Sequence, residues 1–358
     1  MITPSELIEI ATRHQVHLER LKTQAVNENL EFLKVMDKSV TARLAGKDIT
    51  DFKRAKLERL IASVKGDLSI INKDIGASIL AQAKELAEYE AGFEVRALDQ
   101  VIKADFNTPT TSALVSAVMT NPLSVAGVDN GMLLGAFIKG KTTAQIDAIS
   151  LAIRTGYYEG QSTSKILQSI RGTRSQGFKN GIIARVGNSL NAVVRTALQH
   201  TAVQARETTW RANSDIVKQV RWTSTFDGRT SQVCRSMDGK TFEIDKGPRP
   251  PIHINCRSSI VAVLDDKFKS LREGATRSAR GPDGVESISA KDSYYGWLKQ
   301  QPKGFQESAI GPVRAKLMNE GGLSAKKFGE LNLSNQFKPL TLAEMKKLEP
   351  TAFEKAGI

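Results

Sequence analysis

Two cysteines, Cys234 and Cys256, are all that this 358-residue chain contains, too few to staple a secreted scaffold together. Aromatic residues make up only 6%. Cores built mainly from Leu, Ile, Val and Ala suit packed helices better than a large sandwich or barrel. No stretch approaches the roughly 18 uninterrupted apolar residues of a membrane helix, and the opening MITPSELIEIATRHQ lacks the apolar centre of a signal peptide. The expectation is a soluble protein made and used on the cytoplasmic side, with no membrane partner. P-loop, GxGxxG, HExxH and GxSxG patterns are all absent, so catalysis has no motif to stand on and a non-enzyme is expected.

What the chain does have is positive charge, unevenly placed. Lys and Arg number 51 against 38 Asp and Glu, a net +13. Residues 1–100 hold 15 basic and 16 acidic groups, whereas 165–257 hold 16 basic and only 6 acidic, so +10 lies in the centre. Such a block suits a polyanion or an acidic protein surface, and a solvated basic surface with no partner is the plainer alternative. Arg195, Arg206, Arg211 and Arg221 are the candidate DNA contacts.

Periodicity predicts an α+β protein, predominantly α. Thr3-Pro4-Ser5-Glu6 reads as a capping box opening a helix that carries Leu7, Ile10, His14, Leu18 and Leu21 on one face. After a turn at Gly46 to Asp48, Leu57, Leu60, Ile61, Val64, Leu68, Ile71 and Ile75 recur at three and four. Residues 1–104 are therefore expected as a helical hairpin or bundle. Residues 105–140, with prolines, glycines and no sustained period, are expected as an irregular arm or linker. Central helices follow, one ending at Gly156, one starting at Ser162 or Thr163, and one over about 187–214. His200, on the last, is expected to be a packed or capping residue.

Beyond Lys218 the period drops to two. Val220, Trp222, Ser224 and Phe226 alternate with polar residues, Asp238-Gly239 signals a hairpin before Thr241 to Ile244, and Ser259 to Leu264 reads as a more buried strand. Helices plus this small sheet make a core at 141–265. A Gly/Ser-rich flexible loop is expected at 266–290, and a helical tail at 291–358 with one piece near Trp297 and one capped by Thr341 and Glu344.

Within the sheet region, Asp227, Cys234, His253 and Cys256 group metal-ligand chemistry. Thiolate and imidazole suit Zn²⁺, and a structural site wants four ligands in a tetrahedron. A carboxylate is uncommon in structural sites, and Ser231, where a zinc knuckle would have Cys, is a poor ligand. A metal-free core in which Asp227 pairs with Arg257 or Arg229 competes with this reading, and a Cys234–Cys256 disulfide is a third.

These residues resemble the phage head morphogenesis family, minor head proteins similar to protein F of phage Mu. The family string runs approximately D-x-R-T-C-x-x-C, D-G-K-x-F, P-P-x-H-P-x-C-R-C. Asp227, Arg229, Thr230, Cys234, Asp238, Gly239, Lys240, Phe242, Pro250, Pro251, His253, Cys256 and Arg257 match it. Ser231 and Ser258 stand where the family has cysteines. The resemblance covers about residues 145–265 and implies structural motif roles for Arg229, Asp238, Gly239 and Arg257. It further implies a minor head protein inside the capsid, present in the host cytoplasm during assembly. Such a protein would bind the portal, contact phage DNA nonspecifically, act in head assembly and DNA packaging or ejection, and meet scaffold or major capsid protein. The alternatives are a zinc-dependent hydrolase or nuclease, a toxin-like effector, or a stand-alone DNA-binding protein.

Overall fold

The computed structural model describes residues 5–102, 104–125, 131–264 and 276–358. Two long helices open it, α1 (Ser5–Leu44) and α2 (Arg54–Ile102). Their turn uses Gly46 at φ +69, a conformation costly for a residue with a Cβ. The Asp48 carboxylate then accepts the Thr50 N–H at 3.1 Å. The expected apolar stripe is inside, with Leu57, Ile61, Val64, Leu68 and Ile75 buried. The capping box expected at the start of α1 involves Thr3 and Pro4, which lie outside the described residues.

Residues 105–140 differ from the irregular arm expected. Thr111–Thr120 form α3, with the Thr110 side chain accepting the Ala113 N–H. Leu123 and Met132 exchange a short β-bridge, and α4 (Leu134–Tyr158) begins well before Ile146. Leu114, Val118, Leu123, Leu134 and Phe137 enter the main core. A ten-residue helix is too short to display a period in sequence, and tertiary burial sustains it.

Helices α5 (Thr163–Arg171, capped by Ser162) and α6 (Ile182–Ala212) complete the bundle. One apolar core runs from α1 through α6, joining Leu18, Leu68, Ile149 and Val194. The near-neutral N-terminal helices are thus packed directly on the helices of the basic block.

The small sheet has strand order β2-β1-β3, from β1 (Val217–Thr223), β2 (Thr241–Glu243) and β3 (Ser259–Leu264). Both pairings are antiparallel, with Val220 opposite Phe242 and Trp222 opposite Ile260. A short helix α7 (Gln232–Met237) lies between β1 and β2. Val217, Val220 and Ile260 pack with Trp210 of α6 and Leu98 and Val101 of α2, which seats the sheet on the end of the bundle.

In place of the flexible loop at 266–290, residues 276–289 form a hairpin, β4 (Thr276–Gly281) and β5 (Gly284–Ser289); residues 265–275 lie outside the described residues. Its turn, Gly281-Pro282-Asp283-Gly284, uses standard turn chemistry, but the strands are polar and only Arg277 and Ala279 are buried. The helical tail is richer than the two pieces expected. It has α8 (Tyr294–Gln300), α9 (Lys303–Ile310), α10 (Pro312–Glu320), α11 (Ala325–Leu331), α12 (Leu342–Leu348) and α13 (Pro350–Ala356). The Thr341–Glu344 capping box is formed. Tyr294, Trp297, Phe328 and Phe353 build a second core that also takes in Phe226 and Ala279. The fold is α+β and predominantly α.

Candidate metal centre

The site begins with α7. Ser231 caps this helix, its hydroxyl accepting the Cys234 N–H at 3.3 Å, so residues 231 and 234 fall on one side of a single turn. The loop from Pro248 to Arg257 brings up the rest. Asn255 sits at φ +59 and donates its N–H to Thr196 Oγ1 of α6 at 3.0 Å, which pins the loop to the bundle. His253 and Cys256 are thereby delivered to Cys234.

Cys234, His253 and Cys256 place their donor atoms within 4.8 Å of one another. The two sulfurs are 3.7 Å apart, and His253 Nε2 lies 3.2 Å from Cys234 Sγ and 2.9 Å from Ser231 Oγ. His253 Nδ1 is 2.9 Å from the Ile254 carbonyl, which requires an N–H there and turns the Nε2 lone pair toward the sulfurs. Zinc with bonds of about 2.3 Å to sulfur in a tetrahedral shell separates two sulfurs by about 3.8 Å. The donor set therefore fits a thiophilic ion, with Cys234, His253 and Cys256 as holders and Ser231 at the fourth corner. A bound ion would tie α7 to the His253–Cys256 loop. Both cysteines are free thiols, so the structure holds no disulfide.

Asp227 does not belong to this set, which corrects the four-ligand reading. Its carboxylate takes both arms of the Arg257 guanidinium at 2.7 and 3.0 Å, the Arg229 N–H at 2.9 Å and the Thr230 hydroxyl at 3.1 Å. Burial opposes ionisation here, but the Arg257 contacts outweigh it and hold the carboxyl below its ordinary range. Arg257, rather than Arg229, is the partner.

Electrostatics divide the thiols. Hydrogen bonding to Cys256 and burial push Cys234 well up. Burial also opposes ionisation of Cys256, but hydrogen bonds from Cys234 and His253 overcome it and hold Cys256 well down. Burial lowers His253 while its interaction with Cys256 raises it, and the second effect prevails. A thiolate at Cys256 is the state that a metal ligand needs, and the imidazolium it favours at His253 would have to give up its Nε2 proton for a metal to bind there.

The remaining motif residues bind the architecture. Asp238, with its side chain fully buried, accepts the Ser224 N–H at 2.9 Å, the Tyr294 N–H at 3.1 Å and both Arg277 arms at 3.2 and 3.1 Å. One carboxylate thus joins the exit of β1, the hairpin and α8. Gly239, at φ +80, completes the turn.

The four candidate DNA arginines all have partners within the protein, Arg206 buried, Arg195 and Arg221 half-buried and Arg211 exposed. Arg206 is 1% exposed and bonds Glu90 at 2.7 Å and Ser259, with Glu94 at 3.3 Å, so it cannot reach a phosphate. Arg195 holds Glu19 and Thr23, Arg221 donates to the Ala290 carbonyl, and Arg211 pairs with Asp245 at 2.8 Å. A helix-borne arginine reads the same in sequence whether it points out or spans a core. Lys165, Arg174, Lys179 and Arg185, at α5 and the entry to α6, are exposed.

Sequence reasoning missed Lys22. It is 1% exposed and bonds Glu19 at 2.7 Å and Gln199, whose amide donates to the Ser258 carbonyl at 2.8 Å beside the cysteine site. Its position between Leu18 and Val26 on the buried face of α1 was the available signal. His200 is a packed histidine, as expected, its Nε2 3.0 Å from the Val118 carbonyl.

The helical bundle thus carries a small sheet with a Cys/His cluster, cross-tied by the Asp227–Arg257 and Asp238–Arg277 pairs. Residues 147–261, about a third of the chain, match the family described as Phage Mu protein F like protein. No curated protein and no solved structure matches the chain.

Proposed function

We propose that the protein is a minor head protein of a tailed phage, held inside the capsid, bound to the portal, and acting in head assembly and DNA packaging or ejection. The observation that carries this reading is the family string folded into one knot. Asp227, Asp238, Arg257 and the Cys/His cluster sit together at residues 227–257 within the family segment, and each is engaged in joining elements. That arrangement suits a rigid assembly part. No helix among the described residues is long and apolar enough to cross a membrane, which is consistent with a place in the virion.

DNA contact, on this reading, falls to Lys165, Arg174, Lys179 and Arg185. Their exposure supports it, as does the charge excess of the central block. Phosphate contacts of this kind carry no sequence preference and weaken with salt.

The test is quantitative mass spectrometry of purified DNA-filled particles and procapsids, joined to co-purification with the portal protein. Recovery of the chain from both particles together with the portal supports the proposal. Absence from both would overturn it and bring forward a zinc-dependent hydrolase, with metal content and nuclease activity measured next.

A further inference from the structure

Away from the cysteine knot, a cleft of about 300 Å³ opens between α1 and the face formed by the end of β1, β3 and the β4–β5 hairpin. Its apolar lining comes from Val16, Phe226, Val261, Ala279 and Val285. Of these, Val16 is 50% and Val285 76% exposed, so the recess keeps aliphatic surface open to solvent. The cleft is also charged, and most of that charge is internally satisfied. Asp227 is bridged by Arg257, Arg277 is held by Asp238, and Glu19 is paired with Lys22 and Arg195.

Two exposed cations are less firmly engaged. Arg229 has an 81% exposed side chain, and its nearest carboxylate is Asp227 at 3.9 Å, already bidentate with Arg257. Arg280 is exposed and makes no ion pair among the described residues. It is fixed in place because its backbone N–H bonds the Phe226 carbonyl at 2.8 Å, one residue before Asp227. Two exposed guanidinium groups, Arg229 held only by a long 3.9 Å contact and Arg280 in no ion pair among the described residues, therefore stand on neighbouring segments lining the recess. Within the motif string, the Arg229 backbone N–H bonds Asp227 at 2.9 Å while its guanidinium reaches out to solvent.

We propose that this cleft receives an acidic peptide segment of another protein, with carboxylates on Arg229 and Arg280 and an aliphatic side chain between Val16 and Val285. Charge complementarity selects the anion, and the exposed aliphatic walls select a chain that alternates acid with apolar residues. A single-stranded nucleic acid fits less well. The aromatic ring of the lining, Phe226, is 1% exposed and offers no stacking face. The proposal holds whichever protein supplies the segment, and it stands or falls apart from the portal and DNA roles above.

The test uses the full chain and fluorescence anisotropy at low salt. The probes are a labelled peptide of about ten residues alternating Glu and Leu, the same peptide with Gln for Glu, and an oligothymidylate of similar length. The Glu/Leu peptide is expected to bind. Arg229→Glu with Arg280→Glu should weaken it about tenfold or more, and Val16→Asp several-fold. Lys326→Glu with Lys347→Glu, an equal charge change on exposed residues of the tail, should leave binding within about twofold. Melting curves should coincide, because the altered side chains are exposed. Equal binding by the Arg229/Arg280 variant, equal binding of the Gln peptide, or a response to the variant by oligothymidylate alone would each overturn the proposal.

Discussion

Arg206 of α6 and Glu90 of α2 meet at 2.7 Å with side chains 1% and 0% exposed, a buried ion pair between the two helices. His14 of α1 reaches the other oxygen of Glu90 at 2.7 Å, and Arg206 also touches Ser259 at the start of β3. Three helices and the sheet are thus joined through one carboxylate and one guanidinium. Breaking a buried pair by removing one partner leaves the other charge stranded and costs about 3–5 kcal/mol.

Arg206→Met should therefore lower the urea midpoint by the equivalent of about 3–5 kcal/mol, and adding Glu90→Gln should recover part of that loss. Equilibrium unfolding of the two single variants and the double variant measures the coupling. A stable Arg206→Met protein with impaired DNA binding would restore this residue to the surface role first assigned to it.

Glu94 bears on pH dependence. Burial raises its carboxyl to about 7, against partial relief from Arg206. A carboxyl raised in the folded state contributes stability that is fully present below its unfolded value near 4.5 and is lost as pH rises through about 7. Glu94→Gln should thus match or trail the wild type near pH 5 and gain on it steadily toward pH 8, as read from melting temperatures across that range. A constant difference at every pH would count against a titrating Glu94.

His200 acts on the acid side. Burial depresses it to about 4, so its contribution is present above its unfolded value near 6.5 and is lost as pH falls toward 4. His200→Gln should flatten the stability profile between pH 6.5 and 4, and a profile as steep as that of the wild type would contradict this.

The cysteine site invites completion. Ser231 Oγ is 2.9 Å from His253 Nε2 on the same helical turn as Cys234, so Ser231→Cys supplies a fourth soft ligand. Zinc affinity by chelator competition should rise about a hundredfold or more over the wild type, and Cys256→Ser in that background should abolish the gain. An unchanged affinity would mean that the four side chains do not converge on one point.

Asp238 should be the costliest motif residue to neutralise. Asp238→Ala strands Arg277 and frees two backbone N–H groups, at about 3–5 kcal/mol, and should expose the hairpin and α8 to proteolysis before the bundle. Limited digestion with mass spectrometry reads the order of cleavage. Simultaneous loss of all parts would show that the tail and bundle unfold as one.

Much of the site was legible because its residues are close in sequence and chemically rare. Cys234, His253 and Cys256 stood out as metal-ligand chemistry in a chain with two cysteines, and they do converge. Asp227 was equally prominent and went elsewhere, since a carboxylate near both a thiol and an arginine takes the bidentate partner whose geometry fits. Arg277, Lys22 and Arg280 left little trace, being a polar hairpin residue, one lysine on a helical stripe and a surface arginine.

The sequence by itself determined the helical hairpin, the two-period strands and the string that resembles the Mu protein F-like family. These depend on local periodicity, capping and turn chemistry, which are properties of neighbouring residues. Only tertiary structure decided that α3 forms, that the tail helices share a core with Phe226, and which charges are buried. Each of those outcomes turns on apolar area and ion pairs supplied by residues tens to hundreds of positions away. Glu90 and Arg206 are 116 positions apart, and no local pattern could announce that they would neutralise each other.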